Sequence, residues 1–119
     1  MLISVVDDDE SVRESLPDLL KELGFAARAF SSAEEFLESD SVLRTECLIL
    51  DIAMPGMSGP ELQHELKRRQ IQTPIIFITA QQDERVRRGT VERGAVECLL
   101  KPFTDTALLG ALNAALRVK

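Results

Sequence analysis

Short apolar runs alternate with longer amphipathic segments along the whole chain. Several of these runs are rich in Val, Ile or Phe, and their length and composition are typical of strands. The pattern therefore predicts five strands, at residues 2–6, 25–30, 47–50, 74–78 and 97–100.

The segment after the first run predicts a helix that ends before Gly24. Its apolar residues recur at helical spacing, at Val12, Leu16, Leu19, Leu20 and Leu23. Gly24 then serves as a left-handed C-cap. Because the ring of Pro17 removes a backbone hydrogen bond to Arg13, it predicts either a kink or a shifted helix start.

Two capping boxes predict the starts of the second and third helices. In each box a serine is followed three residues later by a glutamate, so that side chains bond the first backbone N–H groups of the helix. The pairs are Ser32 with Glu35 and Ser58 with Glu61.

The fourth and fifth helices differ in their apolar stripes. The fourth, residues 83–93, offers a core only Val86, Thr90 and Val91, so we expect this helix to be loosely held. The fifth begins near Asp105 and has a fuller stripe, formed by Leu108, Leu109, Leu112, Ala115 and Leu116.

Strict alternation of strands and helices predicts a doubly wound α/β fold, with helices on both faces of a parallel sheet. Neither an internal repeat nor a linker rich in Pro, Gly or Ser divides the sequence. We therefore expect one domain over residues 1–119.

Composition fits a globular protein and narrows its partners. Of the 119 residues 45% are hydrophobic and 29% charged, and the net charge of -6 disfavours nucleic acid or an anionic membrane as a direct partner. The amino-terminal apolar run is too short for a signal peptide or a membrane span, so we expect a cytoplasmic protein. Cys47 and Cys98 lack metal-binding spacing, which predicts two reduced, buried thiols.

Polar side chains follow the predicted strands at the points where they end. In a parallel sheet these ends share one edge, and ligands bind beyond it. The residues at this edge are Asp7, Asp8 and Asp9 after the first strand, Asp51 after the third, Thr79 after the fourth, and Lys101 with Pro102 after the fifth.

Carboxylates at adjacent strand ends repel one another unless a cation lies between them. Hard oxygen ligands without nearby His or Cys favour Mg²⁺, Mn²⁺ or Ca²⁺ over Zn²⁺, and Mg²⁺ most, because it completes its shell with waters and a phosphate oxygen. The first strand is not followed by the glycine-rich turn that would bind a free nucleotide. Asp51, Lys101, Thr79 and a bridging Mg²⁺ are instead the parts needed to form and hold an aspartyl phosphate.

Each of these residues also has a purely structural explanation. Asp7 or Asp8 could cap the first helix, and Asp51 could form the turn before Met-Pro-Gly. Thr79 could be an ordinary β-branched strand residue, and Lys101 a surface lysine at a strand end. Their combination at one sheet edge favours the functional interpretation.

Four motifs in order resemble the receiver domain of bacterial two-component response regulators: VVDDDE, LILDIAMPGMSG, FITA and GAVECLLKPF. The resemblance spans essentially the whole chain, and the second and fourth motifs are most similar to the FixJ-like receivers that precede a helix-turn-helix DNA-binding domain. It implies a flavodoxin-like sheet with strand order 2-1-3-4-5. It also implies either a stand-alone receiver or, as we favour, a piece of a longer transcription regulator whose output domain is absent from this chain.

By this resemblance Asp51 accepts a phosphoryl group from a sensor histidine kinase. Mg²⁺, with Mn²⁺ as a substitute, is bound by Asp8, Asp51 and the backbone carbonyl of Ala53, and by Asp7 largely through a water molecule. Asp9 matches no ligand position and is interpreted as a solvated or helix N-terminal acid.

The resemblance further implies a conformational switch. Lys101 pairs with the phosphoryl group, Thr79 moves to hydrogen-bond it, and a cis Lys101–Pro102 bond directs the lysine inward. The face formed by the fourth helix, the fifth strand and the fifth helix then changes, and phosphorylation-driven homodimerisation is compatible with this. Cys98 departs from the family, because receivers usually have an aromatic switch residue at that position.

The remaining polar residues are interpreted as surface. His64 lies off the buried stripe of the third helix. The basic residues of the fourth helix are interleaved with acids and lack aromatic neighbours, so they suit solvent or a partner protein better than nucleic acid. They are Arg85, Arg87, Arg88 and Arg93.

Two other functions are compatible with parts of the pattern. A haloacid-dehalogenase-like phosphatase also uses an Asp after a strand, but it needs a second acid two residues later, where this chain has Ala53. A pseudo-receiver would keep the fold and the partner face without phosphorylation, and the intact site residues argue against it. In receivers, Ala53 and Gln81 occupy positions that tune the lifetime of the phosphate.

Overall fold

The computed structural model describes residues 1–80 and 84–117. Its strands are β1 (Leu2–Val6), β2 (Ala26–Phe30), β3 (Thr45–Asp51), β4 (Ile75–Thr79) and β5 (Glu97–Leu100). Its helices are α1 (Glu10–Glu22), α2 (Ala33–Glu38), α3 (Gly59–Arg68), α4 (Glu84–Glu92) and α5 (Asp105–Arg117). The predicted alternation of five strands with five helices is confirmed.

The five strands form one parallel sheet in the order β2-β1-β3-β4-β5, as the resemblance implied. The register pairs Val6 with Leu50, and Thr79 with Leu100. Because these pairs lie at the carboxyl ends of their strands, the residues that follow them meet at one edge of the sheet.

Two apolar layers cover the sheet, one on each face, because successive strand residues point to opposite sides. One layer packs strand residues against α2 and α3, through Val6, Leu48, Leu50, Phe77, Phe36, Leu62 and Leu66. The other packs strand residues against α1 and α5, through Ile3, Val5, Ile49, Ile76, Leu16, Leu20, Leu108 and Leu112.

Helix α1 begins upstream of Pro17 and continues through it. Asp9 caps this helix by accepting a hydrogen bond from the backbone N–H of Ser11 at 3.0 Å. The cap fixes the start at Glu10, so the alternative of a start shifted by Pro17 is wrong. Gly24 follows the helix with φ +98°, which confirms its predicted left-handed conformation.

The two predicted capping boxes differ in the structure. The box of α3 is complete, with hydrogen bonds in both directions between Ser58 and Glu61. In α2, Ser32 accepts from the backbone N–H of Glu35, but the Glu35 carboxylate bonds the hydroxyl of Ser31 at 2.9 Å. The capping box of α2 is therefore only half formed, because the Ser31 hydroxyl offers the Glu35 carboxylate another donor.

Two residues assigned to apolar stripes are exposed. Val91 is 43% exposed and Leu109 is 37% exposed. Each follows a buried residue by one position, which rotates it about 100° around the helix and away from the sheet. The stripe of α4 is thus even weaker than predicted, with Thr90 buried and Val86 half-buried. Among the described helices, none has both the length and the apolar run needed to cross a bilayer.

Candidate metal centre

Three aspartates come together at the carboxyl edge of the sheet. Asp7 follows β1, Asp8 lies next to it, and Asp51 is the last residue of β3. Each offers one carboxylate oxygen, and these oxygens all lie within 4.8 Å of one another. The predicted convergence of these acids is therefore present in the structure.

Lys101 follows the edge strand β5 and contacts this cluster. Its Nζ donates to Oδ2 of Asp7 at 2.7 Å and lies 3.8 Å from Oδ1 of Asp51. The Asp7 side chain is 0% exposed, whereas that of Lys101 is 19% exposed. The Lys101 ammonium thus lies beside two of the three carboxylates, those of Asp7 and Asp51, and one positive charge cannot balance three ionised acids.

The pKa of the Asp51 carboxyl is raised in this environment. Burial, and then the charge of Asp7, raise its pKa from 3.8 to about 7, although the Lys101 ammonium acts in the opposite direction. A carboxyl with so high a pKa is one for which ionisation is unfavourable, and a cation between the acids would reverse this.

The donor set suits a hard divalent cation. Asp7, Asp8 and Asp51 present only carboxylate oxygens, which select Mg²⁺, Mn²⁺ or Ca²⁺ over softer metals. Asp8 is exposed, so an ion bound there would keep contact with water and with an incoming ligand. The residues present therefore fit Mg²⁺, which retains several waters in its coordination shell.

Three other predicted residues, Thr79, Ala53 and Pro102, lie at or just after the ends of β4, β3 and β5. Thr79 ends β4, is 1% exposed, and its carbonyl accepts a hydrogen bond from the backbone N–H of Lys101 at 2.7 Å. Ala53 is exposed in the segment after β3. The Lys101–Pro102 bond is cis, as the resemblance implied. Gln81 lies outside the described residues.

Asp9 and His64 have the surface roles expected of them. Asp9 caps α1, and its hydrogen bonds from Ser11 lower the pKa of its carboxyl. Its backbone N–H donates to Oδ1 of Asp7 at 2.9 Å, which helps to orient the Asp7 carboxylate. His64 is exposed on α3.

Both cysteines are buried, and neither forms a disulfide bond. Cys98 lies in β5 beneath α4, and burial raises the pKa of its thiol. Its backbone carbonyl accepts a hydrogen bond from Arg87 of α4 at 3.2 Å. The structure thus places a small side chain and an arginine contact at the position where the family resemblance implied a ring.

Three residues that support the site were not identified from the sequence. Arg13 donates to the backbone carbonyl of Asp7 at 3.0 Å, and Glu34 accepts from the backbone N–H of Met57 at 3.1 Å. The first contact fixes the segment that carries Asp7, and the second ties α2 to the segment after β3. Gly59 packs directly on the backbone of Asp51. Neither charged residue has a sequence signal, because each contact joins different elements.

Replacing Gly59 by alanine is expected to lower the free energy of unfolding by about 2 kcal/mol, because overpacking forces the backbone to shift. A Cβ at Gly59 would lie 2.3 Å from the carbonyl oxygen of Asp51 and 2.9 Å from Cε1 of Phe77. Urea unfolding followed by far-ultraviolet circular dichroism measures this change.

Gly110 is the matched control, since a Cβ there would meet nothing within 4 Å and the residue lies inside α5. Gly110→Ala is expected to raise the free energy of unfolding by about 0.5 to 1 kcal/mol. Equal stabilities of the two variants would contradict the assignment of close packing at Gly59.

Comparison with known proteins gives a consistent picture. A sequence profile described as the response regulator receiver domain matches residues 3–113. Nodulation protein W of Bradyrhizobium diazoefficiens is 45% identical over 114 residues, which are 96% of this chain and 50% of that protein. The transcriptional regulatory protein FixJ of Azorhizobium caulinodans is 39% identical over 96% of this chain and 54% of its own length.

A solved structure agrees with these sequence matches. The crystal structure of FixJ-N superposes with a TM-score of 0.87 and 36% identity, over 98% of this chain and 93% of that chain. The chain spans about half the length of the two curated relatives described above.

Proposed function

The chain belongs to the response regulator receiver domain family, with FixJ-like relatives. We therefore propose that Asp51 accepts a phosphoryl group from a sensor histidine kinase. Members of this family are signalling switches. The observation that carries the proposal is the cluster itself, in which Asp7, Asp8 and Asp51 lie within 4.8 Å of one another beside the Lys101 ammonium.

Mg²⁺, or Mn²⁺ in its place, would be held by Asp8, Asp51 and the backbone carbonyl of Ala53, and by Asp7 through water. When bound, the ion supplies positive charge to the carboxylates and to the phosphoryl oxygens. The geometry supports this role because the acids already converge and because burial and the charge of Asp7 raise the pKa of Asp51 to about 7, which a bound cation would lower.

The Asp51 carboxylate oxygen attacks the phosphorus atom, a P–O bond forms, and the P–N bond to the kinase histidine breaks. The histidine leaves with the electron pair of that bond and takes up a proton. Lys101, already 3.8 Å from Asp51, balances the charge of the incoming group, and the Thr79 hydroxyl donates to a phosphoryl oxygen. Cys98 occupies the proposed switch position. Gln81 occupies a position proposed to tune the lifetime of the phosphate.

The added charge is proposed to change the surface formed by α4, β5 and α5. Because FixJ is a transcriptional regulatory protein and this chain spans about half of it, we infer a DNA-binding output domain in a longer parent protein. The receiver itself would bind no nucleic acid and would act in the cytoplasm, with homodimerisation after phosphorylation as one form of output.

Incubation with acetyl phosphate and Mg²⁺ tests the proposal, with the intact mass of the chain as readout. We expect a labile phosphoryl adduct that disappears when Mg²⁺ is chelated and is absent from Asp51→Asn. Asp9→Asn is the matched control, because Asp9 is an adjacent acid that caps α1, and this variant should retain the adduct.

The alternatives give different results in the same assay. A pseudo-receiver would form no adduct in wild type. A phosphatase would release many phosphates per chain from several phosphate esters, but Ala53 leaves such an enzyme without its second acid. An adduct that persists in Asp51→Asn would contradict the assignment of the phosphoacceptor.

A further inference from the structure

Helix α4 has a small apolar contact with the rest of the protein. Of its residues, Glu84–Glu92, Thr90 alone is buried in the described structure, and Val86 packs half-buried against the core. Val91 and Arg88 face solvent. Because apolar burial is small, polar bonds to neighbouring elements decide how firmly this helix is held.

Arg87 provides a bond between α4 and the sheet. Its Nη2 donates to the backbone carbonyl of Cys98 at 3.2 Å. Cys98 belongs to β5, which is an edge strand, and its backbone N–H bonds the Glu97 carboxylate at 2.9 Å. Both backbone groups of Cys98 are thus bonded by side chains, and Arg87 fastens the helix to the open edge of the sheet.

The same guanidinium group is incompletely satisfied. Its Nη1 lies 3.3 Å from Oε2 of Glu84, but its Nε is buried and finds no hydrogen-bond partner among the described residues. A buried N–H without a partner is unfavourable relative to the same group in water. The unpartnered Nε therefore offsets part of the stabilisation that the bond from Arg87 to Cys98 contributes.

The carboxyl end of α4 is attached differently. The backbone carbonyl of Arg93, just past the helix, accepts hydrogen bonds from Nε2 of Gln63 at 3.3 Å and from Nζ of Lys67. Both donors lie on α3. Two donors hold this end, whereas the middle of the helix is held to β5 by Arg87.

We propose that Arg87 is a positioning residue that holds α4 against β5 in the unphosphorylated protein, and that phosphorylation of Asp51 and this bond oppose each other. The proposal rests on the proposed function, whose output surface includes α4. Coupling between two states is reciprocal, so a bond that phosphorylation weakens must itself resist phosphorylation. Removal of the bond then favours the phosphorylated state.

Arg87→Met tests this, because methionine keeps much of the apolar stem without any N–H donor. In the unphosphorylated protein, hydrogen–deuterium exchange of peptides from residues 84–92 should be faster than in wild type. Phosphorylation by acetyl phosphate should be faster by about fivefold or more, the lower end of typical coupling. Arg87→Lys, which retains a donor, should lie between the two.

Arg88→Ala is the matched control, since it removes the same charge from an exposed position on the same helix. It should leave both exchange and phosphorylation at wild-type values. Equal effects of Arg88→Ala and Arg87→Met would overturn the proposal, because net charge would then be the cause.

Wild-type exchange in unphosphorylated Arg87→Met would overturn the proposal, even if wild type forms no Asp51 adduct. An unchanged phosphorylation rate in Arg87→Met, with wild type forming its Asp51 adduct, would overturn the coupling but leave the proposed function intact. Absence of the adduct in wild type would instead remove the proposed function, which the exchange measurement does not test.

Discussion

Lys101→Met is expected to lower the free energy of unfolding of the metal-free protein by about 3 to 5 kcal/mol, the usual effect of removing one partner from a buried ion pair. Asp7 is fully buried and its Oδ2 lies 2.7 Å from the lysine ammonium. Methionine fills similar volume but removes the ammonium group that bonds the Asp7 carboxylate and lies 3.8 Å from that of Asp51. Urea unfolding by far-ultraviolet circular dichroism is suitable, because the chain has no Trp and no Tyr.

Mg²⁺ should restore much of this loss, because its charge replaces that of the missing ammonium. Lys21→Met, at an exposed site in α1, controls for the loss of one positive charge and should change stability little. Lys101→Met should also accept phosphate from acetyl phosphate about 100-fold more slowly than wild type, a typical effect of removing one charge-stabilising donor. Lys101→Met as stable as Lys21→Met would contradict the electrostatic account.

The metal-free protein should become less stable as pH rises from about 4 to about 7, with little further change above that range. The cause is Asp51, whose pKa of about 7 in the folded protein exceeds its ordinary value of 3.8. Between these values the folded chain binds a proton that the unfolded chain has lost, so raising the pH favours unfolding.

Thermal unfolding in a chelating buffer at about pH 5 and about pH 8 measures this dependence. Relative to wild type, Asp51→Asn should gain stability at the higher pH, with a midpoint raised by about 5 °C or more. Mg²⁺ should stabilise wild type most at the higher pH, by binding the folded form. Asp18→Asn, at an exposed position of α1, should retain the wild-type dependence, and a flat wild-type profile would contradict the argument.

The sequence pattern was sufficient for the architecture. Short apolar runs predicted the strands, and the segments with helical spacing between them predicted the helices. The family motifs implied the strand order that the sheet has. Details that depend on competition between neighbouring groups were not predictable. Glu35 had two serines within reach and bonds the hydroxyl of Ser31, and Val91 and Leu109 turn outward because helical spacing continues past the edge of the buried stripe.

The main acids of the site were predictable because strand ends in a parallel sheet share one edge. The pairing within it was not, since spacing alone does not indicate that the Lys101 ammonium bonds Asp7 at 2.7 Å and lies farther from Asp51. The contacts of Arg13, Glu34 and Arg87 join elements distant in sequence. They depend on the paths of long side chains, which carry no periodic signal.

In the proposed site, one divalent ion neutralises Asp7, Asp8 and Asp51 together. The most direct test is a Mg²⁺ titration of isotope-labelled protein at about pH 7, followed by the carboxyl-carbon NMR signals of its acids. Saturable shifts at these three aspartates, with exposed Asp18 and Glu38 unmoved, are the predicted result. Three unmoved signals at the cluster, or shifts spread evenly over the surface acids, would contradict the account.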